Sequence, residues 1–420
     1  MQDEAPKFTR SLWRSAIWTA FLAATIGILT GSASAFFLWS LDWVTKLRFS
    51  HPWLLAGLPL AGILMTFVYK HFGKTSARGN NLILEHIHGP GGGVPRRMAP
   101  LVLFSTLLSH LCGGSVGREG TAVQMGGSIA STLAHTLRVP AEKLPILLST
   151  GIASGFGAVF GTPFAGAIFA IEVPVRGRLA LSVLAPALIG SFIGDATCHL
   201  WGITHTNYPT LSNLAATVSP LFLGKVLCAA IGFGACATVF ARFAHFTQRT
   251  YETYIPIWWM RPVIGALLVL GISFLLQTKD FLGLGVWSPE ARAVTLQTAF
   301  NPDGCTHWSW FWKLLLTTLT LGAGFKGGEV TPLFFIGATL GNTLAVLMGA
   351  PVDVFAALGF VCVFCAAAHT PVTGLFLGTE LFGIQSAPLF LGACLAAHLV
   401  CGSAQLYSAQ RHPKDASSSA

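Results

Sequence analysis

Long apolar stretches separated by short polar ones run the length of the chain. Leu12 to Trp43 and Trp53 to Tyr69 each cross or nearly cross a bilayer core, for which a helix needs about 20 residues. From Phe72 to Arg97 the chain turns polar and glycine-rich, and Pro100 to Leu111 is apolar again but only half a span long, stopping at Gly113-Gly114. Thr121 to Leu137, Pro145 to Ile171 and Leu179 to Trp201 follow, the second interrupted by glycines at 151, 155, 157 and 161. After a polar connector from Gly202 to Ser219 the order repeats. Leu221 to Phe246 and Ile257 to Leu276 are membrane stretches, Lys279 to His307 is a polar insertion, and Phe311 to Leu321 is a second half-span. Thr331 to Met348, Val354 to Ala368 and Val372 to Val400 complete the series. The pattern predicts an all-α polytopic membrane protein in two membrane halves, 1–210 and 211–420, with no soluble regulatory domain after Cys401.

Short apolar segments broken by glycine are costly in lipid unless their freed backbone groups line a cavity or a polar pathway. Here they recur at matching points. Glu119-x-Thr121 with Gly127 matches Glu329-x-Thr331 with Gly337, an offset of 210. Thr162-Pro163-x-x-Gly166 with Glu172 matches Thr370-Pro371-x-x-Gly374 with Glu380, an offset of 208, and Gly79 matches Gly283 less closely at 204. Near-constant offsets indicate a duplication. Paired broken helices in two homologous halves point to a transporter whose site lies at the midplane between them, and an odd number of spans in each half would invert one relative to the other.

Composition narrows the class. With 53% hydrophobic and 10% charged residues and a mean hydropathy of +0.65, a soluble globule would expose large apolar patches. The net charge of +9 is spread in short clusters (Lys7, Arg10, Arg14; Lys46, Arg48; Lys70, Lys74, Arg78; Arg96, Arg97), the pattern of loops and helix ends held in the cytoplasm. No aromatic-interleaved basic stretch accompanies it, which excludes nucleic acid as the partner. The nine cysteines fall mostly inside apolar stretches and read as packing residues. Ala33-Ser34-Ala35 resembles a signal-peptidase site, but the apolar character continues to Trp43, so the segment is expected to stay as the first membrane helix.

The chemistry concentrates in Gly117-Arg118-Glu119-Gly120-Thr121 and its near copy Gly327-Gly328-Glu329-Val330-Thr331-Pro332. Helices beginning near Glu119 and Val330 would turn unpaired N–H groups and positive dipole ends toward the interior. Two such ends make an anion site without a full positive charge. Glycines at 117, 120, 327 and 328 let backbone come close to an ion. A carboxylate in that field takes the anion's place when ionised and loses the attraction when protonated, so Glu119 can link proton binding to anion binding. The competing structural role is a capping carboxylate that only satisfies amides.

These residues carry a family likeness. Gly117-Arg118-Glu119-Gly120, the Gly-x-x-x-Pro motif from Gly328 to Pro332, the polar loop at Gly79 and the late Leu406-Tyr407-Ser408 together resemble the CLC chloride channels and transporters, in the right order over essentially the whole chain. The resemblance implies a homodimer with one pore per subunit, each built from two inverted-topology repeats of broken, tilted helices. It implies that Glu119 is the external gating, proton-carrying glutamate and that Tyr407 is a hydroxyl donor at the inner end of the anion path. Chloride-handling members carry a serine where this chain has Asn80 in Gly79-Asn80-Asn81-Leu82, and a Gly-x-Phe-x-Pro motif where it has Gly328-Glu329-Val330-Thr331-Pro332. Asn80, Gly120-Thr121 and Glu329-Val330-Thr331 resemble the fluoride-exporting clade, whose members exchange fluoride for protons across a bacterial inner membrane. Proton-coupled chloride exchangers often carry two successive acids near the inner proton route; here Glu172 is followed by Val173. The implied anion-binding set is Asn80, Gly117, Arg118, Gly120, Glu329, Val330, Thr331 and Tyr407, with no cofactor. Fluoride is strongly hydrated, so an amide, a hydroxyl and helix N-termini are the donors it requires.

Other groupings invite chemistry. Cys362, Cys365 and His369 share a helical face and would suit a membrane-embedded metalloenzyme, although Cys-x-x-Cys in an apolar helix reads as packing. Glu85, His86 and His88 read as a solvated loop, and glycines 89 to 93 as a connector. Glu172 and Glu380 are expected to cap helix ends. The rival functions are a chloride channel or chloride/proton exchanger on the same fold, a passive fluoride channel, and the metalloenzyme.

Overall fold

The computed structural model describes residues 4–89, 92–211 and 219–412, with side chains described from Ser15 onward. The side chains of Lys7, Arg10 and Arg14, residues 90–91 of the glycine run and 212–218 of the connector lie outside them. Seven helical segments of the described residues are long and apolar enough to cross a membrane, and shorter apolar helices lie between them.

The first helix, α1 (Glu4–Ser50), runs unbroken through the Ala33-Ser34-Ala35 stretch. It crosses α8 (Leu184–Leu200) through small residues one turn apart on both sides. Gly27 lies against the carbonyl of Gly190 and Gly31 against that of Gly194, so close that a Cβ at Gly31 would stand 2.4 Å from the latter. Between helices in lipid, where no hydrophobic force favours association, such backbone approach supplies the packing energy. The first apolar stretch is therefore an integral part of the bundle.

Four further helices, α2 (Leu58–Val68), α3 (Asn80–His88), α4 (Met98–Leu111) and α5 (Glu119–Thr136), follow. The α3 helix corrects the expected loop: Glu85, His86 and His88 lie on a helix, with Glu85 paired to Arg78 and His88 Nε2 2.9 Å from the Pro174 carbonyl. The stretch expected from Pro145 to Ile171 is α6 (Leu144–Phe160) and α7 (Pro163–Glu172), broken only at Gly161, whose φ of +74° ends α6. Glycines 151 and 155 do not break the helix. They seat α6 on α5, a Cβ at Gly155 falling 2.4 Å from the Ala122 carbonyl.

The second half contains α9 (Pro220–Tyr254), α10 (Met260–Leu275), α11 (Ser309–Gly322), α12 (Val330–Met348) and α13 (Val352–Ala368). The apolar run Val372 to Val400 is two helices, α14 (Pro371–Phe382) and α15 (Ala387–Cys401), because Gly383 at φ +103° turns the chain between them. Gly337 of α12 and Gly359 of α13 pack backbone to backbone, as Gly126 of α5 and Gly151 of α6 do in the first half.

Two carboxylates tie the halves together. Glu172, at the end of α7, accepts from Val372 N (2.9 Å), Thr373 N (2.7 Å) and Thr373 Oγ1 (2.7 Å) at the start of α14. Glu380 of α14 accepts in return from Phe164 N (2.8 Å) and Ala165 N (2.7 Å) at the start of α7. Each helix is thus capped by the other, which satisfies N–H groups that have no intrahelical acceptor. Glu380→Ala is expected to lower the melting temperature in detergent and to cost about 1–3 kcal/mol, because two amides lose their acceptor. Glu380→Gln, which keeps one acceptor oxygen, should lose less.

Candidate functional site

The site forms where the two glycine-flanked motifs meet. Beyond α4 the chain turns at Gly113, φ +82°, and runs inward to Gly117. There it pairs with Gly328 in a two-residue antiparallel bridge, Gly117 N to Gly328 O at 2.5 Å and Gly328 N to Gly117 O at 2.8 Å. Only glycine allows the approach at Gly117, since a Cβ there would lie 2.7 Å from Pro332 Cδ and 2.9 Å from the Gly328 carbonyl. The bridge sets the first turns of α5 and α12 side by side.

Glu119 is wholly buried at the start of α5. The N-cap residue of that helix, Arg118, makes no side-chain cap. Glu119 Oε2 accepts from Thr331 N (3.0 Å) and Thr331 Oγ1 (2.5 Å), at the start of α12, with Arg118 N at 3.4 Å. Arg118 Nε lies 3.4 Å from the other oxygen. The carboxylate therefore sits on the N-terminus of the opposite half's helix, where an anion would sit. Thr121 Oγ1 and Thr106 Oγ1, 2.7 Å apart, fasten the first turn of α5 to α4.

Asn80 opens α3 after Gly79, whose φ is +57°. Its Nδ2 donates to Glu329 Oε1 at 3.2 Å, while its Oδ1 is buried without a partner. Glu329 faces the site: a Cβ at Gly120 would lie 3.4 Å from its Oε2 and 3.2 Å from Asn80 Nδ2. Tyr407 lines the same cavity as this carboxylate. Asn80, Gly120, Val330 and Tyr407 together line a cavity of about 10 Å³, room for one water-sized occupant. Apolar groups of Ile83, Val123, Phe156 and Phe169 close its other walls.

Two larger cavities flank these carboxylates. One of about 590 Å³ is lined by Arg48, Arg118 and His205 among others. The other, of about 210 Å³, is lined by Asn80, Gln124, Lys326, Glu329 and Tyr407. The structure thus gathers all the residues implied for the site, contributed by four separate stretches of chain.

Several groups that shape the site carried no mark in the sequence. Asn81 Oδ1 accepts from Ala409 N (3.0 Å), and Gln410 Nε2 donates to the carbonyls of Val173 and Ala368 (2.9 Å each), so the segment just after Tyr407 is fixed. Ser109 Oγ donates to the Lys326 carbonyl at 2.6 Å and holds the loop before Gly327. Apart from Gln410–Ala368, 42 residues apart, each contact spans more than two hundred residues, which no local pattern reports. The expected Cys362, Cys365, His369 face is not a common ligand set. Cys362 and Cys365 pack in the core, Cys362 Sγ 3.6 Å from Cys394 Sγ. His369, left-handed at φ 55°, turns away to the Ala404 carbonyl (2.6 Å) and His398 (3.2 Å).

A multi-span bundle that brings two helix N-termini together around a buried carboxylate suits a channel or transporter. Residues 61–402 match the family model of the voltage gated chloride channels. The chain belongs to that CLC family. It is 43% identical over 407 residues to the chloride/fluoride channel protein of Pseudomonas syringae pv. tomato, covering 94% of this chain and 86% of that one. An H(+)/Cl(-) exchange transporter ClcA of Yersinia pestis is 26% identical over 427 residues, covering 92% and 86%. Among solved structures, a CLC-type fluoride/proton antiporter superposes with a TM-score of 0.89 at 34% identity, covering 94% of this chain and 98% of that one. A slow cyanobacterial Cl-/H+ antiporter shares the fold, with a TM-score of 0.78 at 20% identity over 93% and 96% of the two chains.

Proposed function

We propose that the protein is a proton-coupled fluoride exporter, working as a homodimer of two inverted membrane repeats, 1–210 and 211–420, in a bacterial inner membrane. The observation that carries the reading is Glu119 Oε2 on the Thr331 amide and hydroxyl, a carboxylate standing in an anion's place. The crossed caps of α7 and α14, equivalent elements of the two halves, support the inversion.

In this reading Glu119 leaves the α12 N-terminus when it takes a proton from the Arg118 side, and fluoride takes its place on Thr331 N–H and Oγ1. Losing its charge removes the attraction to the helix end, and the arriving anion restores it. The ionised Glu119 carboxylate and fluoride therefore occupy the spot in turn, which ties each fluoride-binding step to a protonation of Glu119. The Asn80 amide, the Tyr407 hydroxyl and the N-terminus of α5 are the next donors, with Glu329 orienting Asn80 by a hydrogen bond. Glycines 117 and 120 let the backbone approach, and Val330 closes the pocket. Strong, close donors at the α12 N-terminus favour fluoride, whose hydration is costly to replace, over chloride.

The test is flux of fluoride and protons from the same liposomes. An outward fluoride gradient should drive protons uphill, and chloride at the same gradient should drive far fewer. Equal chloride and fluoride rates would overturn the selectivity, and fluoride flux without proton movement would make the protein a channel. In the same assay Asn80→Ser is expected to lower the preference for fluoride over chloride roughly tenfold, the equivalent of about 1.4 kcal/mol.

A further inference from the structure

A second cluster of ligand atoms lies at the rim of the larger cavity, away from the two carboxylates of the pocket. Asp195 and His199 stand one turn apart near the end of α8, and His205 comes back to them from the segment that follows. Asp195 Oδ1 is 3.3 Å from His199 Nδ1 and 3.6 Å from His205 Nε2. One ligand atom from each residue falls within 4.8 Å of the other two.

The spacing fits a shared cation better than a hydrogen-bonded triad. At 3.6 Å the carboxylate and imidazole are too far apart for a hydrogen bond, and both Asp195 Oδ1 and His205 Nε2 are buried without a hydrogen-bonding partner. Two ligands of a tetrahedral zinc, with bonds of about 2.1 Å, stand about 3.4 Å apart. The two edges at Asp195 match that value. The third edge, between the histidines, is within 4.8 Å, and their rings are 5.0 Å apart centre to centre.

The parts of the cluster differ in how firmly they are held. His205 is only 12% exposed and its ring lies in the space left by the missing side chain of Gly161, where a Cβ would come 2.5 Å from the ring. Asp195 is 18% exposed on a helix. His199, 52% exposed, has Nδ1 also 3.0 Å from the Asp195 carbonyl, and must give up that contact to ligate. Two fixed ligands with one adjustable ligand are what a reversible site requires, with the fourth position left to water. Neutral imidazole and carboxylate suit a borderline cation of the zinc class rather than calcium or magnesium, which prefer all-oxygen shells.

We infer that Asp195, His199 and His205 form a binding site for a zinc-class divalent cation at the rim of the cavity that leads to Arg118. Because His205 and Arg118 line one cavity, the bound cation adds positive charge at the rim of the anion's approach, a site distinct from the pocket that holds Glu119.

The experiment is titration of untagged, full-length protein in detergent with Co²⁺, read by its ligand-field absorption. Saturation is expected at one cobalt per chain, with a spectrum of low coordination number that Zn²⁺ displaces. Asp195→Asn and His205→Ala should each weaken binding at least tenfold. His199→Ala, on an exposed side chain that the fold does not need, should do so with an unchanged melting temperature. A His86→Ala/His88→Ala control should bind as the parent does. Absence of saturable binding, or equal binding in the parent and the His199 and Asp195 variants, overturns the site. The measurement reads binding alone, so its outcome is separate from that of the flux assay.

Discussion

Glu119→Gln is expected to abolish fluoride-driven proton movement in liposomes, by at least about 100-fold, equivalent to more than about 2.7 kcal/mol in the coupled step. The amide has nearly the shape of the carboxylate and keeps an acceptor oxygen for Thr331 N, now 3.0 Å from Oε2. The fold should therefore survive, with a melting temperature near that of the parent. What is lost is the exchange of charge for proton at one atom. An amide does not titrate, so it cannot leave the α12 N-terminus on taking a proton or return to it on losing one. Fluoride-driven proton flux at the parent rate in this variant would sink the mechanism. Measuring both ions in one preparation separates loss of coupling from loss of protein.

The second large effect concerns the fold. Gly126→Val is expected to prevent recovery of monodisperse protein, because a Cβ at Gly126 would stand 2.0 Å from the Gly151 carbonyl, and both groups are helix backbone. Overpacking in an ordinary core costs about 1–3 kcal/mol since side chains can yield. Here neither partner can, and separating the helices would also displace Gly155 from the Ala122 carbonyl. Gly224→Val on α9 is the control, since nothing lies within 4 Å of a Cβ there. Size-exclusion profiles of the two variants, expressed together, decide the matter. Equal recovery would show that the α5–α6 contact tolerates separation.

Much of the architecture could be read from the sequence because membrane helices must satisfy their own backbone, so apolar length reports them directly. The half-spans before Glu119 and Glu329 were legible for the same reason, and their offset placed the two motifs as counterparts. Glycine was harder to interpret. Gly151, Gly155 and Gly161 look alike in the chain, yet only Gly161 ends a helix, because its neighbours are Thr162 and Pro163; the other two are contact surfaces. Gly383 does break its stretch, although Val372 to Val400 reads as a continuous span. The polar stretch after Phe72 hid α3, whose helix has buried Leu82, Ile83 and Leu84 but few other apolar residues.

At the site, Glu119 was visible as a carboxylate at a helix start, but its partner was not. A carboxylate beside its own glycine could equally have capped α5, and only the Gly117–Gly328 bridge turns it onto α12. The Asn80–Glu329 contact joins residues 249 apart. It could be supposed from the family likeness, not from spacing. The Asp195, His199, His205 cluster has no signature in the sequence, since its third member is contributed by an irregular segment rather than by helical periodicity.

The crossed caps of Glu172 and Glu380 limit how such a molecule can move. Rocking one half against the other would pull both carboxylates off their amides at once, breaking five hydrogen bonds and uncovering the buried Glu172. Such latching resists a jaw-like opening of the two sides. On the proposed mechanism the moving part is a single side chain, Glu119, which ties the pace of turnover to a rotamer change and a proton.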